Sequence, residues 1–209
     1  MDALDYLRSF IERDSLLMSE MEEASCVRDD IQPGVEPELG KFLGLLIRLM
    51  NAKNVLEIGS GVGYSAIWLG EAVKTTRGRV VTIDNHERTH IEVIRNIEKA
   101  GLSLWVEKKL GDAEDILGTL SGEWDIVFQD GGKYLYPVVH EKIVQMTREG
   151  GLIVADDTLF KINPDVRRGL GDHMDRYNRI VFSDKRLYST ILPVGHGITI
   201  SLKSGYPDE

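Results

Sequence analysis

The chain has 209 residues and a formal net charge of −9, and this length suits one domain with a full hydrophobic core. The negative charge weighs against broad nucleic-acid binding, which needs a basic face. No apolar run reaches the roughly 20 residues that span a bilayer, and the first residues lack the layout of a signal peptide. The single cysteine, Cys26, excludes an internal disulfide and suits a reducing compartment. We therefore expect a cytoplasmic protein with no membrane partner.

The first 52 residues predict a helical cover. Apolar residues recur near the helical period over Asp2–Met21, which predicts one helix. The breakers Pro33, Gly34 and Pro37 follow, and they mark an irregular stretch. A second helix with an apolar face is predicted over Glu38–Asn51. We place the boundary between this cover (1–52) and a core (53–209) at residue 53, with both parts in a single domain.

Predicted strands and helices alternate after the cover. The strands lie at 54–58, 79–84, 104–109, 124–130 and 151–156, and the helices at 63–74, 87–100, 112–118 and 134–147. We expect a last helix after Asn163-Pro164, with proline at its first position. Two final strands, at 187–194 and 197–202, form a hairpin. This order predicts an α/β fold: a Rossmann-like, doubly wound, mostly parallel seven-stranded sheet with a C-terminal antiparallel hairpin.

The most informative motif is Asn54-Val-Leu-Glu-Ile-Gly-Ser-Gly-Val-Gly-Tyr-Ser65, a short apolar strand that breaks into three glycines. Gly59, Gly61 and Gly63 let the backbone turn sharply and approach a ligand closely. The spacing differs from the dinucleotide fingerprint. Glu57 would repel a pyrophosphate but suits a ligand that carries an amino group and a sulfonium. The motif therefore indicates S-adenosylmethionine, although many strand-to-helix turns with glycines bind nothing.

Acidic residues also follow the next two predicted strands. Asp84 ends the second strand, about twenty residues beyond the glycine turn, where doubly wound folds place an acceptor for ribose hydroxyls. The alternative is that Asp84 only caps the helix that begins near Glu87. Asp112 lies just past the third strand. Together with Glu57, these acids would surround one nucleoside at the carboxyl edge of the sheet.

A second group of acids follows the fourth and fifth strands. Asp130 ends one strand, and Asp156 and Asp157 end the other. Neighbouring strands lie roughly 5 Å apart, so these oxygens can share one Mg²⁺, Mn²⁺ or Ca²⁺ ion. Successive strand residues point to opposite faces, so Asp156 and Asp157 can both bind only if the chain has left the strand; otherwise one is a loop cap. Lys133 is a candidate general base or electrostatic stabiliser, whose pKa burial beside a cation would lower, or else an exposed loop lysine.

The chain resembles the cation-dependent class I S-adenosylmethionine O-methyltransferases, typified by caffeoyl-coenzyme A O-methyltransferase, with catechol O-methyltransferase as a more distant relative. The resemblance covers almost the whole length. It rests on Leu56-Glu-Ile-Gly59 with Gly63-Tyr-Ser65, Thr82-Ile-Asp84, Gly111-Asp112-Ala113, Asp130-x-x-Lys133, Gly150-Gly-Leu-Ile-x-x-Asp156-x-Thr-Leu159 and Leu192-Pro-Val-Gly-x-Gly-Ile-Thr199.

The resemblance implies roles for individual residues. Lys133 and Asp130 would be catalytic, and Asp130, Asp156 and Asp157 would bind the divalent cation, most simply Mg²⁺. The candidate cofactor-binding residues are Glu57, Gly59, Gly61, Gly63, Tyr64, Ser65, Asp84, Asp112, Ala113 and Asp130. The resemblance and the apolar helix Glu38–Asn51 also predict a homodimer.

Three departures from the family pattern bear on the substrate. Asp157 stands where the family has asparagine, so a bound site carries one more negative charge, which should bind metal more tightly but polarise a hydroxyl less. Gly132 replaces a common aspartate. The segment between Phe160 and Pro164 is shorter than the plant enzymes' insertion, and Phe160 replaces a tryptophan. We therefore expect an acceptor other than a coenzyme A ester.

The preferred acceptor is a small catechol-like phenol or vicinal diol, because two adjacent oxygens would complete the coordination of the metal. The alternative is a hydroxylated nucleoside in transfer RNA, held by a basic rim of Arg8, Arg13, Arg28, Lys161, Arg167 and Arg168. A zinc hydrolase based on His86-Glu87-x-x-His90 is a remote alternative, since no third ligand follows at a suitable spacing. A binding module with a degenerate site is another.

Overall fold

The N-terminal cover consists of three helices rather than the two predicted. The computed structural model describes residues 2–11, 16–31 and 34–204, and its cover contains α1 (Ala3–Arg8), α2 (Leu16–Val27) and α3 (Pro37–Met50). The single helix predicted over Asp2–Met21 is wrong. The Ser9 hydroxyl donates a hydrogen bond to the Tyr6 carbonyl (2.6 Å) just after α1 ends, and serine competes for helical carbonyls in this way. Residues 12–15 and 32–33, which include Arg13 and Pro33, lie outside the described residues.

The core is the predicted seven-stranded, mostly parallel sheet, with the strand order β3-β2-β1-β4-β5-β7-β6. The strands are β1 (Asn54–Ile58), β2 (Arg79–Asp84), β3 (Val106–Leu110), β4 (Trp124–Gln129), β5 (Thr147–Ala155), β6 (Leu187–Leu192) and β7 (Ile198–Lys203). The helices after the cover are α4 (Tyr64–Thr76), α5 (Glu87–Lys99), α6 (Ala113–Thr119), α7 (Tyr136–Met146) and α8 (Arg168–Ser183). β7 is antiparallel to both β5 and β6, which confirms the C-terminal hairpin.

Two predicted boundaries differ from the structure by four residues. β5 begins four residues earlier than predicted. Its pairing with β4 shifts register between Trp124 and Ile126, so a regular alternation of apolar residues does not predict the start of this strand. The last helix begins at Arg168 rather than after Pro164. The Asn163 side chain accepts a hydrogen bond from the Asp165 amide (3.0 Å), and this local turn competes with the helix. A 3-10 turn covers Phe160–Ile162.

The two faces of the sheet are covered by different helices. Leu56 and Ile58 of β1 belong to a core cluster with residues of α7 and α8, whereas Val55 belongs to the cluster with α3, α4 and α5. Glu57 points to the same face as Val55, because strand side chains alternate. The sheet therefore carries one fully buried carboxylate on an otherwise apolar strand. Within the described ranges, no helix is long and apolar enough to cross a membrane.

Candidate active site

The predicted site residues lie at one edge of the sheet. β1, β2, β3, β4 and β5 run parallel, so the loops that follow them leave from the same edge. β1 lies between β2 and β4, and β4 pairs with β5. The glycine loop is therefore flanked by the Asp84 turn on one side and by the Asp130 turn on the other. The expected adjacency of the fourth and fifth strands is confirmed.

The glycine loop is shaped by two different requirements. Gly59 has φ +101°, and a Cβ there would lie 2.4 Å from the Asp130 carbonyl oxygen. Gly61 has φ +51°, but a Cβ there would meet no atom of the described structure within 4 Å. Packing against the end of β4 therefore requires glycine at position 59. At position 61 the space beside the backbone is open, which leaves room for a ligand.

Asp84 holds this loop in place. Its Oδ2 accepts hydrogen bonds from the amides of Ser60 (2.8 Å) and Gly61 (3.0 Å). Its Oδ1 accepts one from the His86 amide (2.9 Å), just before α5. Asp84 therefore shapes the glycine loop and also supports the start of α5, as the capping alternative required. Oδ1 can accept a second bond, so contact with a ribose stays a prediction.

Glu57 has no hydrogen-bond partner for either carboxylate oxygen among the described residues, and its side chain is fully buried. Burial raises its pKa to about 7, because desolvation disfavours the charged form, and the nearby hydroxyls of Ser65 and Thr82 offset this shift only in part. An unpaired buried carboxylate is costly unless something satisfies it. A cationic ligand near the glycine loop would do so.

The other predicted cofactor residues lie at the same edge of the sheet. Gly63 caps α4, followed by the buried Tyr64 and Ser65. The Tyr64 hydroxyl donates to Glu22 of α2 (2.6 Å), so the N-terminal cover is tied to this loop. The Asp112 side chain caps α6 by accepting from the Glu114 amide (2.8 Å), next to the buried Ala113.

Lys133 lies on the other side of the glycine loop, within a shell of three oxygens. Its Nζ is 3.1 Å from Asp130 Oδ1, 2.7 Å from Asp157 Oδ2 and 3.0 Å from the Tyr136 hydroxyl. Burial by itself lowers a lysine pKa, but Tyr136 and the two carboxylates together raise the pKa of Lys133 well above its ordinary value. The lowering of this pKa is expected beside a bound cation, and it stays a prediction. The exposed-loop alternative is wrong, since Lys133 is buried.

The three predicted metal-binding acids carry more negative charge than Lys133 neutralises. Burial, followed by repulsion from neighbouring carboxylates, raises the pKa of Asp156 to about 8. Burial also raises the pKa of Asp130 to about 6, although Lys133 opposes the shift. Asp157 has left the strand, with φ +62°, which allows both acids to face the site. No cluster of three or more metal-binding side chains is preassembled within the described ranges.

Sequence reasoning missed three side chains of this site. His196 Nδ1 lies 3.3 Å from Asp157 Oδ1, and its ring packs on Phe160 with centroids 5.3 Å apart. Tyr136 contacts Lys133, and the Glu36 carboxylate lies against Gly195. Tyr136 is one helical turn after Lys133, a spacing that could have indicated contact. The glycines on both sides of His196 marked only a turn.

Other sequence candidates have structural roles. His86 caps α5, and its Nδ1 lies 3.3 Å from the Thr89 hydroxyl; the described residues show no metal cluster that includes Glu87 or His90. Much of the proposed basic rim is paired with acids: Arg8 with Glu38, Arg28 with Asp30 and Glu92, and Lys161 with Asp172. Arg168 approaches the same Asp172 at 3.9 Å.

The doubly wound sheet, the antiparallel hairpin and the glycine loop together define a class I methyltransferase. A family model described as O-methyltransferase matches residues 9–204. The chain belongs to this O-methyltransferase family. It is an S-adenosylmethionine-dependent methyltransferase by fold and family, which excludes the zinc hydrolase and the degenerate binding module.

Named relatives and solved structures agree with this assignment. A catechol O-methyltransferase of Niastella koreensis is 38% identical over 129 residues, which cover 60% of this chain and 58% of the relative. Caffeoyl-CoA O-methyltransferase 2 of Petunia hybrida is 34% identical, covering 77% of this chain and 72% of the relative. The structure of the Streptomyces achromogenes O-methyltransferase of tomaymycin synthesis, in complex with S-adenosylmethionine, matches with TM-score 0.85 and 28% identity, covering 96% and 95% of the two chains. A Bacillus cereus O-methyltransferase in complex with S-adenosylhomocysteine has TM-score 0.82 and 27% identity, with coverages of 95% and 96%.

Proposed function

We propose that this enzyme transfers the methyl group of S-adenosylmethionine to one hydroxyl of a small catechol-like phenol or vicinal diol, with a divalent cation bound beside it. The observation that supports this most is the position of Lys133, which is held by Asp157 and by Asp130, whose backbone packs against Gly59 of the glycine loop. Two named relatives, a catechol and a caffeoyl-CoA O-methyltransferase, act on phenolic compounds according to their names.

The cofactor would lie over the glycine loop. Glu57 would meet the positive charge of the methionine part, which would satisfy its unpaired oxygens. Gly61 would let the ligand approach the backbone, since a Cβ there has open space beside it. Asp84, already fixed by two loop amides, would accept from the ribose, and Asp112 and Ala113 would border the adenosine.

The donor set fits a divalent cation. Asp130, Asp156 and Asp157 supply only oxygen ligands, which Mg²⁺, Mn²⁺ and Ca²⁺ prefer. Burial, and then repulsion from neighbouring carboxylates, raises the pKa values of Asp130 and Asp156, and a bound cation would favour their charged forms. When bound there, such an ion would hold two adjacent acceptor oxygens and lower the pKa of one hydroxyl.

Lys133 would act through its charge. An ammonium has three hydrogens, and the Lys133 group has three oxygen neighbours, so no hydrogen is left over and no lone pair is available as a base. The acceptor hydroxyl would lose its proton to solvent water, its oxygen would bond to the methyl carbon as the carbon–sulfur bond breaks, and S-adenosylhomocysteine would be the leaving group. Lys133 would stabilise the negative acceptor oxygen, and orientation supplies the rest of the acceleration.

The charge of the site favours an acceptor without phosphate groups. Glu36 adds a fourth carboxylate near Asp130 and raises the pKa of that acid further. These carboxylates would repel the phosphates of a coenzyme A ester or of transfer RNA. The residues proposed to hold RNA are largely paired with acids. These features support the small acceptor over the RNA alternative.

A screen with labelled S-adenosylmethionine and Mg²⁺ would test the proposal by comparing a panel of catechols and vicinal diols with bulk transfer RNA. We expect label in at least one small acceptor and loss of the transfer in EDTA. Label in RNA alone, with strong salt dependence, would reject the small acceptor. Full activity in EDTA would reject the cation.

The oligomeric state and compartment complete the proposal. α3 packs on α4 through Leu39 and Leu43, yet it leaves Leu45 and Leu49 50% and 72% exposed. These two leucines support a homodimer through α3, because a second copy would cover them. Light scattering at micromolar concentration would test this, and a monomer would contradict it.

Cys26 is an unpaired, exposed thiol, which suits the cytoplasm.

A further inference from the structure

A buried tyrosine, Tyr136, stands behind Lys133 at the start of α7. Its side chain is 1% exposed. Its hydroxyl donates a hydrogen bond to the Gln129 carbonyl (2.9 Å) and accepts one from Lys133 Nζ (3.0 Å). Because the single hydroxyl hydrogen is committed to Gln129, only lone pairs remain on the side of Lys133. The tyrosine can therefore only accept from the lysine.

The ring of Tyr136 is held as firmly as its hydroxyl. It packs edge-on against Tyr177, with centroids 5.3 Å apart, and the Gln129 side chain donates to the Tyr177 hydroxyl (3.0 Å). Tyr177 is fully buried as well. The ring packing and the hydrogen bond to the Gln129 carbonyl fix the oxygen that faces Lys133, and neither of them requires the Tyr177 hydroxyl.

Tyr136 differs from the other two partners of Lys133. Asp130 and Asp157 are charged and lie at loop positions after β4 and β5, where they are the proposed ligands of a cation. A carboxylate that turns toward a cation gives up part of its contact with the lysine. Tyr136 is neutral and lies within the core, so it keeps its contact. The Lys133 Nζ also lies 5.0 Å from the centre of the Tyr136 ring, a favourable distance for a cation.

We propose that Tyr136 is a positioning residue that fixes the ammonium of Lys133 at the acceptor site through one hydroxyl. The proposal rests on the proposed function of Lys133 and deepens it. Tyr136 would touch neither cofactor nor acceptor, and its influence on the reaction would pass entirely through the lysine.

Tyr136→Phe tests this, with Tyr177→Phe as a matched control. Both changes remove one hydroxyl from neighbouring buried rings, but only Tyr136 contacts Lys133. A hydrogen bond to a charged group contributes enough for a roughly 10- to 100-fold fall in kcat in Tyr136→Phe, with KM for S-adenosylmethionine nearly unchanged. Tyr177→Phe should keep kcat within about threefold of wild type at a similar loss of Tm. Equal losses of kcat in both variants would overturn the proposal.

A second measurement separates positioning from activity. The ¹⁵N NMR signal of an ordered lysine ammonium, assigned by its absence in Lys133→Ala, should be present in wild type and Tyr177→Phe and lost in Tyr136→Phe. Its persistence in Tyr136→Phe would overturn the proposal. In a Lys133→Ala background, Tyr136→Phe should lower kcat no further, and an additive loss would show a role that does not pass through Lys133. If wild type methylated no acceptor, the proposed function would fail, and the NMR comparison alone would decide whether Tyr136 holds the lysine.

Discussion

The two halves of the site are built in different ways. On the proposed cofactor side, the glycine loop, Glu57 and Ser65 come from one continuous segment, and backbone amides of the loop bond to Asp84. On the proposed acceptor side, Lys133, Asp157 and His196 come from three separate loops, and side-chain charges make the contacts. The first half depends on local backbone shape, and the second depends on how distant strands are brought together.

This difference predicts that substitutions in the two halves have different effects. Changes in the glycine segment should alter the fold and cofactor affinity, because the backbone itself forms the surface. Changes on the acceptor side should alter turnover while the fold persists, because the buried charges there add little to stability. Burying charges that are imperfectly paired costs free energy, and the raised pKa values of Asp130 and Asp156 show that cost.

The largest expected effect is that of Lys133→Ala. Removing the charge should lower kcat by roughly 10²- to 10⁴-fold, the range for a single catalytic side chain, and should change the Kd of S-adenosylhomocysteine little. Kinetics and calorimetric titration would measure the two quantities. Lys161→Ala is the control, since Lys161 is a more exposed lysine that pairs with Asp172. A loss of cofactor affinity that matched the loss of kcat would assign Lys133 to the cofactor side.

The next effect separates the two roles of the glycine loop. In Gly59→Ala, the new methyl would lie 2.4 Å from a backbone oxygen, so we expect a loss of about 3 kcal/mol or more of unfolding free energy. In Gly61→Ala the left-handed backbone alone costs about 1 kcal/mol, yet the methyl would obstruct a ligand. Chemical denaturation and titration with S-adenosylhomocysteine would show this contrast. Unchanged cofactor affinity in Gly61→Ala would place the ligand elsewhere.

A smaller effect is expected for Glu57→Gln, which should raise the stability of the cofactor-free protein but lower its affinity for the cofactor. Burial raises the pKa of Glu57 from 4.5 to about 7, so the folded state binds its proton more tightly than the unfolded chain does. Stability is then lost as the pH rises from about 4.5 to about 7, by about 3 kcal/mol at most. Glutamine should remove this loss and stabilise the cofactor-free protein at pH 8, while weakening cofactor binding roughly 10- to 100-fold.

Thermal unfolding and cofactor titration at pH 5 and pH 8 would test both signs for Glu57→Gln. The exposed residue Glu87 provides the control, because Glu87→Gln should leave both quantities unchanged. The stabilities of wild type and Glu57→Gln should differ less at pH 5, where Glu57 of the cofactor-free protein is protonated. A destabilised Glu57→Gln protein at pH 8 would contradict the unpaired state of this carboxylate.

The smallest effect is expected for His196→Ala. His196 contacts Asp157 only at 3.3 Å and is half exposed, so its loss should raise the KM of the acceptor by about threefold to tenfold, as for a weak polar contact, and leave the cofactor Kd unchanged. Steady-state kinetics with the acceptor found in the screen would measure this. The KM of the acceptor in Phe160→Leu would test the contact between Phe160 and the His196 ring in the same way. A fall in kcat as large as that of Lys133→Ala would place His196 among the catalytic residues.

The sequence by itself determined the sheet, the glycine loop and the acids at the strand ends. These features are local: a buried strand, a glycine or a carboxylate occupies its place because of its neighbours in the chain. The alternation of strands and helices then left few possible topologies, so the adjacency of Asp130 and Asp156 followed as well. Family motifs added the candidate roles of the same residues.

Only the tertiary structure decided the protonation and the partners of those residues. Glu57 is fully buried because helices cover both faces of its strand, and Lys133 is held as an ammonium because Asp157 and Tyr136 approach it from different elements. His196 reaches the site through the hairpin turn, more than sixty residues from Lys133 in the chain. Short motifs cannot encode such contacts, because desolvation and charge pairing depend on everything that packs around a group, whatever its distance along the sequence.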